Sequence, residues 1–191
     1  MNIIIFGPPL AGKGTQSKKI VDDFRLTHLS TGDALRAAKK SGSELGLKAA
    51  EYSNKGLLAP DELVDAVVEK FCITHKSDSG ILFDGYPRNI SQANFLNTLL
   101  KNNDSKIDLI LALKVEKSEL LRRAKIRAEK EDRKDDRDSE IVLRRINEYE
   151  NLTLPTIEFF EKNHAKVIEI DGSRSIDEIY SIIESKLKSL K

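Results

Sequence analysis

The run FGPPLAGKGTQ, residues 6–16, carries the residues with the most specific chemistry in the chain. Gly7 to Lys13 matches the first seven positions of the pattern G-x-x-x-x-G-K-[ST], between an apolar strand-like segment and a helical pattern. Backbone N–H groups in such a loop and at the helix start point at an anion. Lys13 adds a point charge that can follow the outer phosphates of a nucleotide. The pattern departs at one place, where Gly14 follows the lysine and the hydroxyl comes one residue later, at Thr15. A glycine-rich turn that only joins a strand to a helix is the plainer alternative; strand, loop, lysine and hydroxyl together point to a bound phosphate.

A second set of cations lies far along the chain. Arg123, Arg127, Arg133 and Arg145 follow one another at spacings of four, six and twelve. The first pair falls on one helical face, and the others bracket EKEDRKDDRD (129–138), in which every residue is charged. By composition alone that decapeptide is a solvated, flexible stretch. His28, His75 and His164 have no partner pattern for acid–base work. The single cysteine, Cys72, falls among apolar residues at helical spacing and reads as a buried, inert thiol.

These residues need a scaffold, and the apolar runs supply one. NIIIF (2–6), GILFD (80–84), LILALKV (109–115) and KVIEI (166–170) are short β-type runs, with a weaker fifth in THLS (27–30). Helical patterns separate them: 13–24 opens from the loop, and 60–75 carries Leu63, Val64, Val67, Val68 and Phe71 on one stripe behind Pro60. Continuous apolar strands alternating with helices predict a parallel sheet covered on both faces, a doubly wound three-layer α/β/α sandwich. Residues 31–59 carry turn signals in SGSELG and NKG and form an excursion between strands. The segment 116–162 is mostly helical by pattern, interrupted by the charged decapeptide.

At 191 residues the chain suits one domain. A net charge of +1 argues against nucleic acid or a membrane surface as partner. No apolar run approaches the length of about 20 residues needed to span a bilayer, so a cytoplasmic protein is expected.

The form GKGT after GPP is seen in nucleoside monophosphate kinases. LSTGDALR (29–36), DGYPRNISQ (84–92), the arginine series and IDGSRS (170–175) follow in matching order and spacing. Over essentially its whole length the chain resembles the adenylate kinases, with a short lid. The resemblance implies a five-stranded P-loop sandwich with core 1–29, 60–126 and 138–191, a helical acceptor-binding flap at 30–59 and a lid at 127–137. It implies reversible phosphoryl transfer from Mg²⁺·ATP to AMP giving two ADP, by a monomer.

Residue by residue, the resemblance gives ATP to Leu10, Ala11, Gly12, Lys13, Gly14, Thr15, Arg123, Arg127 and Arg174, the last through its backbone. It gives AMP to Thr31, Arg36, Leu57, Leu58, Ala59, Gly85, Tyr86, Pro87 and Arg88, with Gln92 on the acceptor base. Arg133 and Arg145 close over the transferring group, with Arg144 an alternative to Arg145. Lys13, Arg88, Arg123, Arg133 and Arg145 are the catalytic cations. Asp84 and Asp33 hold magnesium through water with Thr15 nearby, and Asp135 and Asp136 hold the lid shut. With one cysteine and a short lid, no structural zinc is expected.

Two departures stand out. Leu10 occupies a place usually held by glycine, and because a Cβ disfavours positive φ, a reshaped loop or a negative φ is expected there. Asn89 stands where adenylate kinases commonly carry threonine and is the form of UMP/CMP kinases, whereas Thr31 and Gln92 favour adenine.

Overall fold

A computed structural model describes residues 1–75, 79–130 and 138–190. Five strands, β1 (Ile3–Phe6), β2 (Thr27–Ser30), β3 (Ile81–Asp84), β4 (Leu109–Lys114) and β5 (Val167–Asp171), form one sheet in the order β2-β3-β1-β4-β5. Every neighbouring pair is parallel. All residues of β1 and β3 are buried, which is why these runs are apolar without alternation.

Two helical layers cover the sheet. On one face Ile3, Ile5, Leu82 and Leu111 pack with Ile20 and Phe24 of α1 (Lys13–Phe24) and Ile179 and Ile183 of α9 (Ile176–Lys188). On the other, Ile4, Phe6, Phe83 and Ile110 pack with α4 (Asp61–Thr74), α5 (Ile90–Lys101) and α8 (Leu154–Lys162) through Val68, Leu96 and Phe160. This is the three-layer arrangement expected from the alternating pattern. THLS, the weakest strand signal, pairs as the edge strand β2.

Helix starts follow local chemistry. Ser30 caps α2 (Thr31–Lys40), Ser43 caps α3 (Glu44–Ser53), and Asn89 caps α5 through its side-chain oxygen. Pro60 precedes α4, with Asp61 and Glu62 in its first turn, where acidic groups suit the helix dipole. The excursion after β2 is the α2/α3 pair. Its turn is so close that a Cβ on Gly46 would lie 2.1 Å from the Ala38 carbonyl carbon.

The long helical segment resolves into α6 (Lys117–Lys130), α7 (Ser139–Glu148), a π-helical turn at Tyr149–Thr153, and α8. The sequence pattern predicted helix here but not the π turn. Asp138 caps α7. Arg133, Asp135 and Asp136, and all but the ends of the charged decapeptide, lie outside the described residues.

The strand order creates the site. β1 and β3 are neighbours, yet the chain leaves β1 for α1 on one face and β3 for α5 on the other. Loops that diverge above the carboxyl ends of adjacent parallel strands open a crevice at this switch point.

Candidate functional site

The loop after β1 supplies one wall of the crevice. Gly12 takes a φ of 93° and α1 starts at Lys13. Lys13 folds back over its own loop, Nζ donating to the carbonyls of Gly7 at 2.7 Å and Pro8 at 3.0 Å. Burial pushes its ammonium down to about 8; Asp84 pulls against that shift, while Arg88, Arg145 and Arg127 add to it. A cation held among cations waits for an anion. Polyphosphate binds the charged form, so affinity for ATP is expected to be flat below pH 8 and to fall above it, by up to about tenfold per unit with proton uptake on binding. Calorimetric titration of a non-hydrolysable ATP analogue in buffers of different ionisation enthalpy checks this. Affinity unchanged to about pH 9.5 would contradict the assignment of Lys13.

Leu10 corrects the expectation for the loop. Its φ is +71°, so the loop keeps a left-handed residue despite the Cβ. The side chain explains how: it is buried with Leu120 and Ala124 of α6 and Val142 and Ile146 of α7. A left-handed non-glycine residue costs about 1–2 kcal/mol, and burying leucine in a packed cluster offsets more than that, about 2–5 kcal/mol. Leu10→Gly is therefore expected to relax the backbone and still lower unfolding free energy by about 1–3 kcal/mol in urea titrations. A variant more stable than the parent would show that strain, not packing, dominates.

The loop after β3 supplies the facing wall. Gly85, at φ +77°, accepts from Thr31 Oγ1 and from Arg88 Nε through one carbonyl, both at 2.8 Å. A Cβ at Gly85 would fall 3.1 Å from Arg88 Nη2 and 3.2 Å from Thr31 Oγ1, so only glycine lets the two converge. Thr153, on the π turn, donates to the Arg88 carbonyl at 2.9 Å. The Tyr86–Pro87 bond is cis, and the Tyr86 ring is buried with its hydroxyl on Asp65 at 2.5 Å. Burial, Arg145 and Arg36 push Arg88 down to about 10, with Asp84 opposing.

Both walls open on one cavity of about 480 Å³, lined by Gly7, Pro9 and Lys13 on one side and Thr31, Gly85 and Arg88 on the other. Leu57, Leu58 and Ala59 give it an apolar end, and Gln92 and Arg145 complete the wall.

The sequence model of the family described as "Adenylate kinase" matches residues 5–165. The chain belongs to the adenylate kinase family. An adenylate kinase of Hyphomonas neptunium is 41% identical over 188 residues, covering 98% of each chain. Those of Caulobacter vibrioides and Phocaeicola vulgatus are 40% and 38% identical over 98% and 100% of this chain, and over 97% and 100% of their own lengths. The protein is thus an enzyme, a nucleotide-binding kinase of the adenylate kinase family.

Most residues that the adenylate kinase resemblance gives to AMP meet here, whereas of those it gives to ATP only Lys13 lines the cavity. Thr31, Arg36, Pro87, Arg88 and Gln92 stand on the cavity wall with Lys13. Arg145 and Arg144 part company: Arg145 lines the cavity, whereas exposed Arg144 donates to the Lys55 carbonyl at 3.0 Å. Arg123 pairs with Glu119 at 2.8 Å and donates to the carbonyls of Gly172 at 2.9 Å and Leu10 at 3.4 Å. It thereby ties the phosphate loop to the turn after β5. Arg174 is exposed, 3.6 Å from Asp171. Tyr86 supports the acceptor loop from the core and is not on the cavity wall. Asp33 is exposed and paired with Arg36.

Other contributors were not apparent from spacing. His28 Nε2 approaches Asp84 Oδ2 to 3.5 Å, and Ser17 Oγ donates to the same oxygen at 3.1 Å. Burial pushes the Asp84 carboxyl up, but His28, Lys13 and Ser17 together hold it below its ordinary value. Asp61 accepts from both Asn89 and Gln92. His28 and Asp84 belong to strands 54 residues apart in sequence, β2 and β3, whose pairing had to be known first. Asn89 has local work as the cap of α5, a task that threonine also performs. Cys72 is half-buried and its thiol is pushed up to about 11 by burial, as suits an inert thiol.

Proposed function

We propose that Lys13, Arg88 and Arg145 form the centre at which this chain carries out reversible phosphoryl transfer between ATP and AMP, giving two ADP. The observation that carries this is the single cavity on which the phosphate loop and the Gly85–Arg88 cradle both open. Phosphoryl transfer has a largely dissociative transition state with charge on the transferring oxygens, so positioning and cations do the work. Lys13 holds the donor's outer phosphates. Arg88, kept on its carbonyl perch by Gly85 and Thr153, holds the acceptor phosphate, and Arg145 stands on the same wall.

ATP lies along Leu10 to Thr15 with Arg123, Arg127 and the Arg174 backbone. AMP lies against Thr31, Arg36, Leu57 to Ala59, Gly85, Pro87, Arg88 and Gln92, with Tyr86 supporting that loop from the core. Arg133 joins Arg145 from the lid. A magnesium ion would supply positive charge to offset that of the donor phosphates. The chain fits such an ion: the contacts of His28 and Ser17 both fall on Asp84 Oδ2, and Oδ1 is the oxygen they do not use. Asp84 would hold the ion through its water shell, with Asp33 and Thr15 beside it. One carboxylate plus substrate phosphates is the usual magnesium donor set.

Residues 30–59 and 127–137 act as flap and lid that exclude water while the rest serves as core. We extend the reading to a monomer working in the cytoplasm. A panel of AMP, CMP, UMP and GMP with Mg·ATP tests the acceptor. Turnover with AMP far above the others is expected; preference for CMP or UMP would overturn the adenine assignment.

A further inference from the structure

We propose that Asp61 sets which purine the acceptor pocket takes, by fixing the flip of the Gln92 side-chain amide. The inference rests on the reading that Gln92 meets the acceptor base. Gln92 is 1% exposed and lines the cavity. Its Nε2 donates to Asp61 Oδ1 at 2.8 Å, and its Oε1 accepts from the Arg88 backbone N–H at 2.8 Å. Neither partner tolerates the opposite flip, because a carboxylate only accepts and a backbone N–H only donates. Asn89 tightens the arrangement, donating through Nδ2 to the same Asp61 oxygen at 2.9 Å and accepting the Gln92 N–H through Oδ1 at 2.8 Å.

An amide has two N–H groups and two carbonyl lone pairs. With one of each held by the protein, one donor and one acceptor remain for a ligand, in a fixed spatial order. The 6-amino and N1 edge of adenine presents a donor and an acceptor that complement that order. A 6-oxo purine presents an acceptor and an N1–H donor in the reverse order, and would leave buried polar groups unpaired, which is how a hydrogen-bonding site discriminates. Asp61, on a different helix from Gln92, is therefore a positioning residue for base choice.

The test compares AMP and IMP as acceptors, since IMP reverses the 6-position and N1 without adding another group. In the parent chain kcat/KM is expected to favour AMP strongly. In Asp61→Ala only the Arg88 N–H still biases the flip, and the AMP-to-IMP ratio is expected to fall by about tenfold, through a raised KM for AMP with kcat within about threefold. Both donors fall on one Asp61 oxygen, so Asp61→Asn, which keeps an accepting Oδ1, should restore most of the ratio. Were Asp61 only a charge at the start of α4, alanine and asparagine would behave alike and the ratio would not move. An unchanged ratio in Asp61→Ala overturns this inference and leaves the adenine reading standing. A parent chain indifferent to AMP and IMP overturns both.

Discussion

Lys13→Met is expected to lower kcat for phosphoryl transfer by about 10³-fold, the loss typical of removing one preorganised donor from a charged transition state. Methionine keeps the length and apolar stem but offers no charge to the donor phosphates. The stability of the variant should move the other way. Burial lowers the Lys13 ammonium to about 8, so the folded chain holds that charge at a cost when no anion offsets it. Removing it also removes bonds to the carbonyls of Gly7 and Pro8, which limits the gain. The expected result is a variant at least as stable as the parent and nearly inactive, a stability–activity trade-off seated in one side chain. Single-turnover kinetics and thermal unfolding on the same preparation check it. Turnover within a factor of about three of the parent would refute the role of Lys13.

Arg88→Lys is expected to cost about 10²–10³-fold in kcat/KM for AMP while leaving KM for ATP within about threefold. The charge survives, so a purely electrostatic account predicts little change. The geometry predicts more, because Arg88 uses Nε on the Gly85 carbonyl, and Nη2 lies on the side where a Gly85 Cβ would intrude. A guanidinium can hold its perch and present a fork to phosphate at once; an ammonium on a flexible stem cannot do both. Steady-state kinetics with each substrate varied in turn separates the two accounts. Equal losses for ATP and AMP would place Arg88 on the transferring group alone and not on the acceptor.

Much of this site was legible because its pieces are local. The phosphate loop is contiguous, the apolar runs became strands, and Ser30, Ser43 and Asn89 cap the helices they precede. What was not legible depends on packing between distant segments. Asp61 and Gln92 lie 31 residues apart, and their hydrogen bond exists because α4 and α5 cover the same face of the sheet. His28 reaches Asp84 because β2 pairs with β3, a strand order that the sequence pattern leaves open. Leu10 shows a local rule outweighed: the Cβ argument against positive φ is sound, but burial against α6 and α7 contributes more. Arg144 and Arg145 are indistinguishable by pattern, and only the rotation of α7 places the second in the cavity.

The central claim is that one cavity brings a donor and an acceptor phosphate together and transfers between them. The most direct measurement is product stoichiometry with Mg·ATP and AMP, with ATP alone as control. The account predicts two ADP formed for each AMP consumed, and ADP release from ATP alone slower by orders of magnitude. ADP formed at the same rate with and without AMP, or no ADP in either case, would contradict it.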